Sequence, residues 1–234
     1  MYIARTMRQM KIVAINTEIK LKNFEVISVT PDGFDEISLK EVDYVVISGG
    51  DGLLRRMIEK IIQKGNERPT IIIDAKGSFN VIAKRYMIPK LHKVIGKLEN
   101  KEKLQTRKMD VYKLNSHIFL FSAGNLTDAL HIHLSEILRV GFLRKGPLRY
   151  LISGIFVLPV TLLSFPFLLF SKKRFFIFTP FKLINFKNHY TKINHLHFDI
   201  KNDYNILEID GDLVILKERY IDIKKIDEIN IIVK

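Results

Sequence analysis

The chain contains no cysteine, which excludes disulfides, thiolate zinc sites and cysteine nucleophiles and allows a reducing compartment. It also lacks an apolar run ahead of Lys11. Met1-Tyr2-Ile3-Ala4-Arg5-Thr6-Met7-Arg8-Gln9 carries two arginines and no h-region, so no secretory signal is predicted and cytoplasmic residence is expected. Nucleic-acid signatures are missing: no recognition helix, RNP-like run or zinc motif accompanies the basic residues, and no nucleic-acid partner is expected. Acidic residues are outnumbered, 25 Asp and Glu against 38 Lys and Arg, for a formal net charge of +13. That balance suits a polyanion such as an anionic membrane surface or a phosphorylated ligand, although charge alone does not choose. A genome biased toward Ile, Lys and Asn would raise the lysine count in the same direction.

What is present is a chain of 234 residues with 47% hydrophobic composition, enough for one large domain or two small ones with real cores. Met10–Asn16, Phe24–Val29, Val42–Ser48 and Thr70–Ile73 are apolar, β-branched runs that read as strands, and Leu53–Ile62 has apolar residues at helical spacing. Strand, helix and strand in that order predict a parallel α/β sheet. Gly49-Gly50-Asp51-Gly52 lies where one strand runs out and the helix begins. Glycine lets backbone N–H groups approach a ligand and a helix start favours anions, so the turn reads as a phosphate cradle; a tight turn without a ligand is the plain alternative. A second polar loop, Asp74-Ala75-Lys76-Gly77-Ser78-Phe79-Asn80, leaves the next strand before a short helix at Val81–Tyr86. Ligands of open α/β sheets bind outside the carboxyl ends of the strands, where both loops are expected to lie. Residues 90–108 read as a Lys-rich connection. The expected organisation is a Rossmann-like α/β domain over 1–105 and a β-rich domain over 106–234, with the last strand, Ile229–Val233, free to pack on either.

Beyond residue 108 short β-like runs dominate: Met109–Leu114, Ile118–Gly124, Arg174–Phe178, Ile193–Ile200, Asn205–Ile209 and Leu213–Leu216, with turns at Asn115-Ser116-His117 and Asp210-Gly211-Asp212. They predict an antiparallel β domain with a helical insertion. Leu126–Leu138 reads as a helix, on which His131 and His133, two apart, share no face and are not metal ligands. Leu151–Phe170 has no charge over twenty residues and is flanked by Arg144, Lys145 and Arg149 before and Lys172, Lys173 and Arg174 after. Its length is that of a membrane span, but Pro159 and Pro166 are expected to break a helix; a span, a buried helix plus strand and an interfacial membrane contact all remain open.

The order of these motifs resembles the diacylglycerol kinase catalytic-domain superfamily, which includes bacterial lipid kinases and sphingosine kinases. The resemblance runs from about Met10 to Leu216. It rests on Tyr44-Val45-Val46-Ile47-Ser48-Gly49-Gly50-Asp51-Gly52, Lys76-Gly77-Ser78-Phe79-Asn80-Val81-Ile82-Ala83, Phe119-Leu120-Phe121-Ser122-Ala123-Gly124 and Ile209-Asp210-Gly211-Asp212. Gly146-Pro147-Leu148-Arg149-Tyr150 also resembles the family's Gly-x-x-x-Tyr approach to its second-domain helix. The resemblance implies a nucleotide held by an α/β and a β-sandwich domain, with a lipid hydroxyl attacking the γ-phosphoryl group of ATP in the presence of Mg²⁺. It implies that Gly49, Gly50 and Gly52 bring backbone N–H groups to the phosphates while Asp51 orients the nucleotide or its Mg²⁺. Gly77, Ser78 and Asn80 then match the second phosphate loop, Asn16 the family's Asn after the first strand, and Asp212 the general base. Four departures stand out: Leu53 where many members have Thr, Val81 where bacterial members often have Asp, Asp212 where Glu is usual, and about 30 residues from Asn16 to Gly49. The implied activity is an ATP-dependent lipid kinase, peripheral on the anionic inner membrane surface. The alternative is a catalytically degenerate relative that binds lipid or nucleotide at a membrane. NAD kinase shares a Gly-Gly-Asp-Gly loop, but its companion Asn-Glu motif is missing at a matching position.

Overall fold

The computed structural model describes residues 9–125, 134, 137–138, 148–170, 174–180, 189–191 and 193–234. Two compact units divide the chain: residues 1–76, 86–109 and 229–234 form the first, and 77–85 and 110–228 the second. The fold class is α/β plus β.

In the first unit β1 (Met10–Ile15), β2 (Phe24–Val29), β3 (Tyr44–Gly49) and β4 (Thr70–Ala75) run parallel in the order β2-β1-β3-β4. Ile12–Ile15, Val45–Ile47 and Ile71–Ile73 are almost free of solvent. Continuous β-branched runs buried on both faces are what a parallel sheet requires. On the far side of β4, Ile231 of β13 (Tyr220–Val233) pairs parallel with Ile71. Helix α1 (Asp51–Gln63) follows β3 and buries Leu54, Met57, Ile58 and Ile61, a stripe at helical period. It ends at Lys64, and Gly65 takes the left-handed turn at φ 122°.

Residues 90–108 are not a plain connection. They form α3 (Leu91–Glu99), which sets Val94 and Leu98 into the same core as Ile72 and Ile232, and then the start of β5 (Gln105–Leu114). Lys93 and Lys97 occupy the exposed face, so charge on one side of the helix hid the apolar period on the other.

The second unit is a β-sandwich. One layer pairs residues 112–114 of β5 antiparallel with β6 (His117–Phe119), and residues 220–224 of β13 antiparallel with β10 (His195–Asp199). The other layer has the order β12-β11-β7-β8-β9, with β7 (Ser122–Gly124), β8 (Phe176–Phe178), β9 (His189–Tyr190), β11 (Asn205–Ile209) and β12 (Asp212–Leu216). All of these pairs are antiparallel except β8 with β9. Leu114, Phe119, Ile221 and Ile223 of the first layer meet Ile177, Leu207 and Ile209 of the second in one core. β13 begins nine residues before the strand expected at Ile229.

This unit also holds α2 (Val81–Arg85) and α4 (Leu148–Phe170). Helix α4 runs unbroken through Pro159 and Pro166, correcting the expected break at the prolines and with it the helix-plus-strand alternative: each proline removes only one ladder donor. Nor is the segment core, since most of its described side chains are exposed. Among the described residues, no helix is long and apolar enough to cross a membrane. Of the helix expected over Leu126–Leu138, the described residues are Leu134 and Ile137, both helical, and Leu138, whose N donates to Leu134 O at 3.1 Å; His131 and His133 lie outside the described residues.

Candidate functional site

Because β1, β3 and β4 are parallel, their carboxyl ends finish side by side, with Ile15 opposite Ile47 and Gly49 opposite Ala75. Asn16 follows β1 at φ 58°, a conformation asparagine tolerates better than most residues. Its backbone N–H donates to Val29 O at 2.9 Å and its Nδ2 to Ser48 O at 2.8 Å. From the other side, Lys76 N donates to Gly49 O at 2.9 Å. The backbone entering the glycine loop is therefore held from both neighbouring strands.

Within the loop each residue has a separate reason to be there. A Cβ on Gly49 would lie 2.6 Å from Leu53 Cδ2 and 3.1 Å from Leu53 Cβ, so glycine is what lets Leu53 fold back over the turn. Gly50 is the N-cap of α1, at φ −92° and ψ 179°, and no side chain there bonds into the helix start. Leu54 N opens the helical ladder by donating to Gly50 O at 3.0 Å. Asp51 and Gly52, both half-buried, are the first two helical residues. The result is a cluster of backbone donors at the positive end of a 13-residue helix, with a carboxylate in its first turn.

A charged group stands at the end of the adjacent strand. Ser48 Oγ donates to Asp74 Oδ2 at 2.8 Å, and Lys76 Nζ lies 3.0 Å from the same oxygen. The Asp74 side chain is only 16% exposed and that of Lys76 is 62% exposed, so a half-buried carboxylate tethers a cation that reaches water. Sequence reasoning placed Asp74 and Lys76 in the second polar loop and Ser48 ahead of the glycines, but gave none of the three a role of its own.

Gly77, Ser78 and Asn80 belong to the second unit. Asn80, at φ 49°, accepts from Gly77 N through Oδ1 at 2.9 Å and donates from Nδ2 to Gly77 O at 2.7 Å. Both ends of its amide thus fold the loop on itself, around the half-buried Ser78, and Lys84 N donates to Asn80 O at 3.1 Å as α2 begins. Asp212 opens β12, half-buried, across from Ile209. The two residues between them, Asp210 at φ 49° and Gly211 at φ 88°, make a type I′ hairpin turn. Asp210 is buried and its carboxylate accepts the N–H groups of Leu120 at 2.7 Å and of Phe121 and Ser122 at 2.9 Å. Glu208, also buried, accepts from Ser122 Oγ at 2.9 Å and from Gly211 N. Neither acid was singled out in the sequence, although Glu208 in the apolar run Ile206-Leu207-Glu208-Ile209 is a charge in the middle of a buried strand.

Asn16, Gly49, Gly50, Asp51 and Gly52 thus gather in the first unit with Ser48, Asp74 and Lys76, while Gly77, Ser78 and Asn80 share one loop of the second unit and Asp212 stands on a separate turn. Among the described residues no group of three or more His, Asp or Glu side chains is assembled as a metal site.

Residues 6–114 match the model of the diacylglycerol kinase catalytic domain. The diacylglycerol kinases of Staphylococcus aureus strains JH9 and NCTC 8325 are 29% identical to this chain over 119 residues, half of this chain and 36% of each relative. The match therefore spans about a third of the length of those relatives. Among solved structures, a diacylglycerol kinase from Bacillus anthracis str. Sterne superposes with a TM-score of 0.60 at 11% identity, covering 97% of both chains, a likeness of fold.

Proposed function

Because residues 6–114 match the diacylglycerol kinase catalytic domain, we propose that the chain is a member of that superfamily and an ATP-dependent lipid kinase that phosphorylates the hydroxyl of a membrane lipid alcohol on the anionic inner membrane surface. The observation that carries this reading is the glycine loop at the start of α1, braced by Asn16 and Lys76 at the carboxyl ends of three parallel strands. ATP, when bound, supplies the γ-phosphoryl group. Gly49, Gly50 and Gly52 present backbone donors to the phosphates, and the Lys76 ammonium exchanges Asp74 for a phosphate oxygen. Asp51 is the protein carboxylate that would orient the nucleotide or its Mg²⁺. Gly77, Ser78 and Asn80 shape the second loop, where Ser78 offers a hydroxyl. Asp212 accepts the lipid hydroxyl proton as the alcohol oxygen attacks.

The test is transfer of labelled γ-phosphate to extracted membrane lipids, paired with calorimetry of ATP binding. Wild type should form a lipid phosphate, and Asp51→Ala should lose at least 10²-fold in rate. Lys76→Ala should weaken ATP binding by about tenfold, as expected for one charge-assisted contact. No product from wild type, or equal product from Asp51→Ala, overturns the reading; ATP binding without product leaves the degenerate, binding-only relative. The inward-turned Asn80 amide favours that second reading, because both of its polar ends are already engaged.

A further inference from the structure

Helix α4 exposes a surface that water does not tolerate well. Leu151, Ile155, Phe156, Leu158, Leu162 and Leu163 are all more than half exposed, Leu163 by 78%, whereas Ser153 and Val157, four apart on one face, are buried. A contiguous apolar face of this kind marks a docking surface. The charge around it selects the partner. Residues 137–198 contain ten of the chain's 38 Lys and Arg and none of its 25 Asp and Glu. That single segment therefore carries +10 of the net +13. A compositional bias of the genome would spread the excess along the whole chain, and the other 172 residues carry only the remaining +3.

The strand pairing decides the geometry. β7 precedes α4 and β8 follows it, and the two pair directly, with Gly124 opposite Phe176. Only six residues lead from Phe170 to Phe176, a reach of about 20 Å, against a hydrocarbon core of about 30 Å, so the carboxyl end of α4 stays on the side of that sheet. Were α4 to cross, the chain from Gly124 to Leu148 would have to cross as well. It carries Asp128, Glu136, Arg139, Arg144 and Lys145 and cannot do so.

We propose that α4 docks the protein on an anionic lipid bilayer by lying in the plane of the interface, with its Leu151–Leu163 face inserted and the basic flanks on the headgroups. This deepens the membrane partner of the kinase reading, and its test uses neither nucleotide nor lipid substrate, so the two fail separately.

Because the chain has no cysteine, Leu163→Cys gives a single attachment point for an environment-sensitive fluorophore, with Met87→Cys, exposed in the first unit, as control. Mixed with vesicles of phosphatidylcholine and phosphatidylglycerol at about 0.1 M salt, the label at 163 should shift to the blue and be quenched more by spin labels near the headgroups than by those at the bilayer centre. The label at 87 should do neither. Pure phosphatidylcholine vesicles should bind at least tenfold more weakly. In unlabelled protein, Phe156→Glu with Leu163→Glu should reduce vesicle co-sedimentation at least tenfold while leaving the thermal melt unchanged. The inference is overturned by undiminished binding of that variant, equal binding to neutral vesicles, strongest quenching at the bilayer centre, or a blue shift that needs only protein concentration and no lipid, which would mean a second copy covers the face.

Discussion

The glycine loop after β3 and the Asp210-Gly211 turn before β12 both hold a candidate site segment at the end of a strand, by opposite means. In the first the means are local. Gly49 makes room for Leu53 four residues on, Gly50 caps the helix that follows, and two backbone-directed bonds from neighbouring strand ends brace the loop. In the second they are distant: the Asp210 carboxylate collects three N–H groups from residues 120–122, roughly ninety positions earlier in the chain. A loop made of small residues is sensitive to volume, whereas a turn pinned by a buried carboxylate is sensitive to the loss of one acceptor.

Removing that acceptor should have the largest effect. Asp210→Ala leaves three buried donors unsatisfied and is expected to cost about 3–5 kcal/mol in denaturant unfolding of the full chain, with the Asp212 turn released. A cost below about 1 kcal/mol would mean the pinning is not what holds the turn. Next comes Gly49→Val, which forces side-chain atoms into Leu53 and should cost about 1–3 kcal/mol. Adding Leu53→Ala should recover at least half of that loss; no recovery would locate the constraint in the backbone rather than in volume. The smallest effect belongs to an aspartate of the same unit that stands in water. Asp199 is held to a pKa of about 2, chiefly by the Arg219 guanidinium, whose Nε and Nη2 donate to its carboxylate at 2.7 and 2.6 Å. A lowered folded-state pKa stabilises above the ordinary value of 3.8 and is lost as pH falls toward 2. In melts taken from pH 2 to 7, Asp199→Asn should therefore lower the midpoint slightly above about pH 4, leave it unchanged near pH 2 and remove the dependence between, a small effect because the pair is open to solvent.

The same contrast explains what the sequence made legible. Strands β1 to β4, helix α1 and the glycine loop were readable because each rests on neighbours within a few residues: β-branched runs, a helical period, and glycines where one gives way to the other. The Asp-Gly turn was readable for the same reason. Its anchor was not, since nothing near Asp210 announces that its partners are Leu120, Phe121 and Ser122. Asp74 and Ser48 escaped for a like reason, because their bond crosses from β3 to β4. Helix α3 was missed although Leu91, Val94, Ile95 and Leu98 keep helical spacing, because the lysines between them dominated the composition. In α4 the prolines were given more weight than one missing donor each deserves against a long apolar run. The start of β13 at Tyr220 was hidden by Lys224, Lys225, Asp227 and Glu228, charges that a strand with one face toward water accommodates.

The parallel pairing of Ile71 with Ile231 sets a schedule for the newborn chain. β4 emerges with one edge occupied by β3 and the other open, and its second neighbour is made roughly 160 residues later, about 10–30 s at ordinary rates of synthesis. Until then the bare edge of a strand containing Ile71, Ile72 and Ile73 is available to other growing chains. The first sheet to be translated is thus among the last to be finished, and shortage of chaperones during synthesis should harm this protein more than heat applied to it once folded.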